Sequence, residues 1–139
     1  MKAEDLMAKA DRAAESARML LDAGDTDGAC NRAYYAMYDA ARAALLASGA
    51  PVEPEIAKTH GGLISAFSLH LVKPGRIAVD LGKALNKAED LRLVADYKDD
   101  AVEAEDAAWA VREAKRFVKA MSAEFMSDPC RDDDPRIEP

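Results

Sequence analysis

Three of the four tyrosines of the chain lie close together in the segment NRAYYAMYD, residues 31–39. In and just after it, Arg32, Tyr35, Asp39 and Arg42 are spaced so that a helix would align them in one polar stripe. A guanidinium is a planar fork that matches phosphate or carboxylate, and a tyrosine can pack its ring while presenting its hydroxyl. The stripe therefore predicts either an anion-binding site or a structural network of tyrosines and paired arginines.

A second polar segment, KTHGGLI at residues 58–64, is predicted to open a helix. Thr59 is the expected N-cap, and the free N–H groups of a helix N-terminus favour anions. Lys58 and the paired glycines would leave room for an anion beside His60. The alternative is that His60 caps the helix or packs locally. His70, near the end of the same helix, is given no functional role.

The third polar segment is RLVADY at residues 92–97. Arg92 falls at the edge of the predicted core-facing surface, where a charge requires a partner. Asp96, four residues later, can supply that partner, and Tyr97 follows directly. The segment predicts either a buried structural ion pair or a polar helix end that contacts a ligand.

Five helices are predicted to position these segments, because apolar residues recur every three or four positions along most of the chain. They cover residues 3–23, 26–48, 59–72, 76–97 and 101–126. Asp25 or Thr26 is expected to cap the second helix, and the stretch GAPVEPE that follows it is expected to be a linker. The chain has 30 alanines and only 13 β-branched residues, which favours helices over strands. We therefore expect an all-α fold, an antiparallel bundle joined by short turns.

One domain at residues 1–126 and a polar, disordered tail at residues 127–139 are expected from length and composition. Cys30 lies on an apolar helical stripe and is predicted to be a core residue, whereas Cys130 lies in the tail. Two cysteines are too few for a disulfide scaffold, no His or Cys cluster has zinc spacing, and the N-terminus does not resemble a signal peptide. We expect a cytoplasmic protein without a metal or cofactor.

Charge is distributed unevenly along the chain. The net charge of −7 disfavours a DNA-binding protein with a basic face. Residues 58–98, however, carry 7 basic and 4 acidic side chains. This segment is the one that could attract an anion, although such an excess is also common in segments without a ligand.

The last predicted helix carries a second apolar side. Trp109 lies about 200° around the helix from Val111, and Val102 shares the side of Trp109. An apolar side opposite the main stripe requires a covering surface. A second copy of the chain or a partner protein could supply it.

Taken in order, the three polar segments resemble the HEPN family, and within it the small stand-alone proteins of bacteria and archaea. The matching stretches are NRAYYAMYDAARAALL, KTHGGLISAF and RLVADY, and the resemblance covers residues 3–126. It implies a helical homodimer, in many members the partner of a minimal nucleotidyltransferase in a toxin–antitoxin pair. Many members are metal-independent ribonucleases with an R-x(4–6)-H motif, whose Arg stabilises the scissile phosphate and whose His transfers a proton.

This sequence departs from that motif. Arg92 can match the family's Arg, but Tyr97 follows where the family has His, and a phenol is a poor base at neutral pH. His60 could substitute from the third helix. The resemblance therefore implies binding of RNA or a nucleotide beside a nucleotidyltransferase, with cleavage as the less favoured activity.

Two further functions stay open at this point, namely a ribonuclease toxin and a non-catalytic interaction module in which the polar residues are structural. For a ribonuclease the candidate catalytic residues are Arg92, Tyr97 and His60. The candidate ligand-binding residues are Asn31, Arg32, Tyr35, Asp39, Lys58 and Asp96.

Overall fold

A computed structural model describes residues 2–126 of the chain, and all of its regular elements are helical. Because these residues contain no strand, the predicted all-α class is confirmed for them. The tail predicted at residues 127–139, with Cys130, lies outside the described residues. The elements are α1 (Ala3–Asp22), α2 (Thr26–Ser48), α3 (Pro54–Ala57), α4 (His60–Phe67), a π-helical turn (Ser68–Val72), α5 (Val79–Tyr97) and α6 (Ala104–Phe125).

The ends of α2 and the start of α4 follow the predicted capping chemistry. The Asp25 carboxylate accepts from the backbone N–H of Gly28 at 2.8 Å, and the Thr59 hydroxyl accepts from that of Gly62 at 2.9 Å. Gly49 ends α2 with a φ of 74°, a left-handed conformation that glycine adopts at little cost. Local sequence chemistry thus determines where α2 and α4 begin.

The region between α2 and α5 differs from the five-helix prediction in two respects. The expected linker contains the short helix α3, which begins at Pro54, a residue suited to the first helical position. The predicted helix at residues 59–72 is α-helical only as far as Phe67, after which the chain forms a π-helical turn closed by Lys73 N–H donating to Ser68 C=O at 2.8 Å. Such turns are rare in α-helices and frequent near functional sites.

The last two helices begin later than predicted because the residues before them are anchored outside a helix. α5 begins at Val79 rather than 76, and Ile77 is buried ahead of it. α6 begins at Ala104 rather than 101, and the backbone N–H of Val102 donates to the Asp27 carboxylate at 2.9 Å.

The prediction of a second apolar side on the last helix is wrong for Val102, one of the two residues on which it rested. Val102 is buried within the chain. Trp109 is half-buried, with the ammonium of Lys87 4.3 Å from its ring centroid. Val111, the residue of the main stripe to which Trp109 is compared, is itself only half-buried, and the buried face of α6 includes Ala110 and Phe117.

The core is built around α2, which contacts α1, α5 and α6. Small side chains at the contacts allow close approach of helix axes, and α2 supplies a long series of them. Phe67 and Phe117 fill the space farther out, with ring centroids 5.5 Å apart. Cys30 is buried as predicted, and burial raises the pKa of its thiol to about 11. The buried alanines of α2 are Ala29, Ala33, Ala36, Ala40, Ala41, Ala43 and Ala44.

None of the helices among residues 2–126 combines the length and apolar character needed to cross a bilayer.

Candidate functional site

Side chains from α2, α4 and α5 meet in one group on the side of α2 that carries the tyrosines. The rings of Tyr34 and Tyr35 lie 5.3 Å apart, and that of Tyr38 lies 4.9 Å from the imidazole of His60. We call this group the polar cluster. It comprises Asn31, Arg32, Tyr34, Tyr35, Tyr38, His60, Glu89, Arg92 and Asp96.

The hydroxyl of Tyr34 joins the three helices. It lies 2.8 Å from Nδ1 of His60 on α4 and 3.5 Å from Oε2 of Glu89 on α5. Burial, followed by the nearby Glu89 carboxylate, raises the pKa of the Tyr34 phenol well above its usual value. The phenol therefore stays protonated at neutral pH, and its bond to Nδ1 leaves Nε2 of His60 to act elsewhere.

Arg92 is the most deeply placed cation of the cluster, with only 6% of its surface exposed. Its Nη1 donates to Asp96 at 3.3 Å and its Nη2 to Glu89 at 3.4 Å. Burial acts to lower the pKa of the guanidinium, but the hydrogen bond to Asp96, the neighbouring Tyr35 and the hydrogen bond to Glu89 together outweigh it, and the pKa is raised. Thus the predicted pairing of Arg92 with Asp96 is present, and Glu89 is a second partner that was not predicted.

One N–H group of Arg92 stands apart. Its Nε is buried and has no hydrogen-bond partner among residues 2–126. Buried polar groups are normally paired, so an exception requires an explanation. The guanidinium carbon lies 5.2 Å from the ring centroid of Tyr34 and 5.9 Å from that of Tyr35, within range of cation–π attraction.

The outer edge of the cluster connects α2 to α5. The Asn31 amide donates to the Asp96 carboxylate at 3.2 Å and accepts from Nε and Nη2 of Arg32 at 3.1 and 3.0 Å. The Arg32 guanidinium also lies 5.2 Å from the ring centroid of Tyr35. Arg32 is only half-buried and Asp96 is exposed, so this edge of the cluster is accessible to a ligand.

Three predicted site residues lie apart from these contacts. Asp39 is buried on α2, and its nearest cation is Arg42, at 4.0 Å. Burial raises the pKa of its carboxyl, against the opposing charges of Lys9 and Arg42. Lys58 is exposed before α4. Tyr97 is 75% exposed at the end of α5, and no contact of the cluster includes it.

Three members of the cluster were absent from the predicted site. Tyr34 follows Cys30 by four residues, which places it on the same apolar helical stripe, and its ring is buried while its hydroxyl reaches polar partners. Tyr38 faces His60. Glu89 precedes Arg92 by one helical turn, a spacing typical of ion pairs, so the sequence did carry a signal for it.

The cluster can offer guanidinium N–H donors, aromatic faces and an imidazole to a ligand. These groups suit phosphate and a nucleobase. Among residues 2–126 no group of three or more His, Cys, Asp or Glu residues is arranged to hold a metal ion.

A family model and several relatives match most of the chain. The family model for the HEPN domain matches residues 3–124. A UPF0332 protein of Gloeobacter violaceus is 34% identical over 126 residues, which cover 89% of this chain and 95% of the relative. A UPF0332 protein of Thermotoga maritima is 32% identical over 108 residues, covering 77% of this chain and 78% of the relative.

A third relative, from Methanocaldococcus jannaschii, is described by its name as a candidate toxin. It is 38% identical over 87 residues, which cover 63% of this chain and 61% of the relative.

Proposed function

Since this chain belongs to the HEPN domain family, we propose that it binds a phosphate-bearing ligand, RNA or a nucleotide, at the polar cluster. In this proposal it acts as a homodimer beside a nucleotidyltransferase partner, within a toxin–antitoxin type of module. The relative named as a candidate toxin supports a role of that kind. The partner and the dimer come from the family resemblance, whereas the ligand is argued from the cluster.

The observation that carries the proposal is the arrangement of Arg92. This guanidinium is buried, held by two carboxylates and flanked by tyrosine rings, yet its Nε has no hydrogen-bond partner among residues 2–126. Replacing buried ion pairs by apolar residues is often neutral or stabilising. A phosphate bound beside Arg32 would meet the guanidinium of that residue, because the charge of Arg92 is offset by Glu89 and Asp96.

The contacts of the remaining cluster residues support complementary roles for them in this proposal. No described residue accepts a hydrogen bond from Nη1 of Arg32, so this group can donate to phosphate. The half-buried ring of Tyr35 lies beneath that guanidinium and can pack against a base. Asn31 and Asp96 keep the two arginines in register.

Anisotropy titration of a labelled single-stranded RNA tests this proposal. Arg32→Ala should weaken binding by about tenfold or more, because hydrogen bonds to charged groups contribute roughly 1.5–3 kcal/mol. Arg76→Ala is the matched control, since Arg76 also lies over an aromatic ring and beside a carboxylate, but far along the chain. Equal binding by Arg32→Ala and the wild-type protein would contradict the proposal.

Ribonuclease activity is a second candidate, favoured by the Tyr34–His60 hydrogen bond. That bond holds the imidazole through Nδ1 and leaves Nε2 to move a proton. EDTA-resistant RNA cleavage that is lost in His60→Ala and kept in His70→Ala would support this activity. RNA cleavage that is retained in His60→Ala would exclude His60 as the residue that transfers the proton.

A further inference from the structure

An apolar cavity of about 420 Å³ lies where α2 ends and the chain passes into α3. Leu45 of α2 and Leu63 of α4, both buried, form its floor. The rest of its lining is aliphatic or glycine, with the exception of Arg42. Neither an aromatic ring nor a carboxylate is among the described residues that line it. Cavities of this size and character are typical of small-molecule sites.

Local backbone structure shapes the walls of this cavity. Gly49 ends α2 with a φ of 74° and so turns the chain away from the helix axis. The backbone N–H of Val52 then donates to the carbonyl two residues earlier at 2.9 Å, and α3 begins at Pro54. At the far end of α3 the Thr59 hydroxyl donates to the carbonyl of Ile56 at 3.2 Å. The cavity is therefore bounded by capped and hydrogen-bonded segments of the chain.

Arg42 supplies the charged group of the cavity. Its guanidinium lies 5.8 Å from the ring centroid of Tyr38 and 4.0 Å from the Asp39 carboxylate, which is beyond hydrogen-bond distance. Asp39 also faces the charge of Lys9, so the charge of Arg42 is only partly offset. A guanidinium has five N–H donors in a planar fork that matches a carboxylate. Arg42 can therefore bind an anionic group at the edge of the cavity.

The mouth of the cavity carries an exposed apolar side chain. Leu46 lines the cavity and is 56% exposed. It follows Arg42 by four residues, so the two side chains are neighbours on the surface of α2. From Arg42 to Gly49 the helix rises about 10 Å at 1.5 Å per residue. An alkyl chain attached to an anion at Arg42 would thus lie along Leu46 and remove it from water.

From these observations we propose that the cavity binds an aliphatic carboxylate of medium chain length. The carboxylate lies at Arg42, and the alkyl chain packs against Leu45, Leu46 and Leu63. A phosphate carries more charge than one partly offset guanidinium balances, and a nucleobase finds no ring to stack on in this cavity. The site therefore differs from the polar cluster in the ligand that it takes, and it stands whether or not the polar cluster binds RNA.

Isothermal titration calorimetry with octanoate tests this site. Wild-type protein should bind octanoate saturably and hexanoate about fivefold more weakly, because the shorter chain buries two fewer methylenes. Octanol has the same chain length without the charge and should bind about tenfold more weakly than octanoate, since it loses the charged hydrogen bonds to Arg42. Octanoate that binds no more tightly than hexanoate or octanol would overturn the proposal. The absence of saturable octanoate binding at millimolar concentration would overturn it as well.

A pair of arginine variants tests the placement of the carboxylate. Arg42→Gln should weaken octanoate binding about tenfold and leave octanol binding unchanged. Arg12→Gln is the matched control, because it makes the same charge change at an exposed position on α1. Octanoate affinity that is retained in Arg42→Gln would contradict the placement. Equal losses in the two variants would reduce the effect to net charge and also contradict it.

Amide resonances followed by NMR locate the bound octanoate in the wild-type protein. The backbone amides of Val52 and Leu63, which line the proposed site, should shift and saturate with the affinity measured by calorimetry. The amides of Val111 and Val118, which line the larger cavity between α1 and α6, are the control and should stay in place. Saturable shifts at Val111 and Val118 without shifts at Val52 and Leu63 would overturn the proposed site.

Discussion

The two sides of α2 differ in what they bury. The side toward α1 and α6 is lined chiefly by alanines, and Asp39, whose carboxyl interacts with the charge of Lys9 on α1, is its buried polar residue. The side toward α4 and α5 buries tyrosine rings whose hydroxyl groups, guanidinium neighbours and carboxylate partners all require specific geometry. Packing of small apolar residues tolerates many sequences of similar volume. A buried polar cluster requires each partner in place, which is why we assign function to the second side.

The largest expected effect separates packing from the site. Phe117 is fully buried on α6 and contacts Phe67. Phe117→Ala should lower the free energy of unfolding by about 3–5 kcal/mol, through lost transfer energy and a cavity. Urea denaturation measures it, with half-buried Phe125→Ala as the milder control. The affinity of the folded Phe117→Ala protein for RNA should be unchanged. A loss of RNA affinity in Phe117→Ala that Phe125→Ala does not show would contradict the functional separation of the two sides of α2.

Two adjacent glycines test how α4 is held at the cluster. A Cβ at Gly62 would lie 2.0 Å from the carbonyl oxygen of Ile56, whereas one at Gly61 meets nothing within 4 Å. Gly62→Ala should therefore cost about 1–3 kcal/mol of stability and displace His60. Gly61→Ala should be neutral or stabilising by up to about 1 kcal/mol. Thermal unfolding of both variants decides this, and equal stabilities would contradict the packing of α3 on α4.

The Tyr34 hydroxyl gives a smaller effect that is specific to the polar side. Tyr34→Phe removes the partner of His60 Nδ1 and should cost about 1–2 kcal/mol. Tyr35→Phe is the matched control, because no described residue hydrogen-bonds to the Tyr35 hydroxyl. Comparable urea midpoints for the two variants would show that the Tyr34–His60 bond does not contribute.

The smallest effect concerns pH. The pKa of the buried Asp39 carboxyl is raised in the folded protein, chiefly by burial, above an unfolded value of about 3.9. The folded state thus binds this proton more tightly, so the contribution to stability is present below the unfolded pKa and lost as pH rises through the folded pKa.

Asp39→Asn should remove the loss of stability that accompanies ionisation of the Asp39 carboxyl as pH rises. Relative to the wild-type protein, the variant should gain stability as pH is raised from 4 to 7, as measured by urea unfolding at each pH. The exposed residue Asp90 supplies the control, Asp90→Asn. A stability difference that is independent of pH would show that the Asp39 carboxyl does not behave as a buried acid.

Much of the fold follows from local sequence chemistry. Asp25 and Thr59 cap their helices as predicted, and Cys30 is buried as its place on the apolar stripe requires. What could not be predicted depends on tertiary contacts. Val102 is drawn out of the last helix by Asp27, 75 residues earlier in the chain, and periodicity carries no information about such a partner.

The candidate site shows the same division. The ion pair of Arg92 with Asp96 was predictable because both residues lie on one helix. The bond between Tyr34 and His60 was not, since a tyrosine on an apolar stripe gives no sign of where its hydroxyl points. The solvent-exposed position of Tyr97 follows from the end of α5 at that residue.

The most direct test uses the two histidines of the chain, His60 in the polar cluster and His70 in the π-helical turn. Their imidazole resonances can be followed by NMR while a dinucleotide is added at constant pH. With the ligand at the polar cluster, the resonances of His60 should move with added dinucleotide and saturate, while those of His70 stay in place. Resonances of His60 that do not move, or that move no more than those of His70, would contradict the placement of the ligand at the polar cluster.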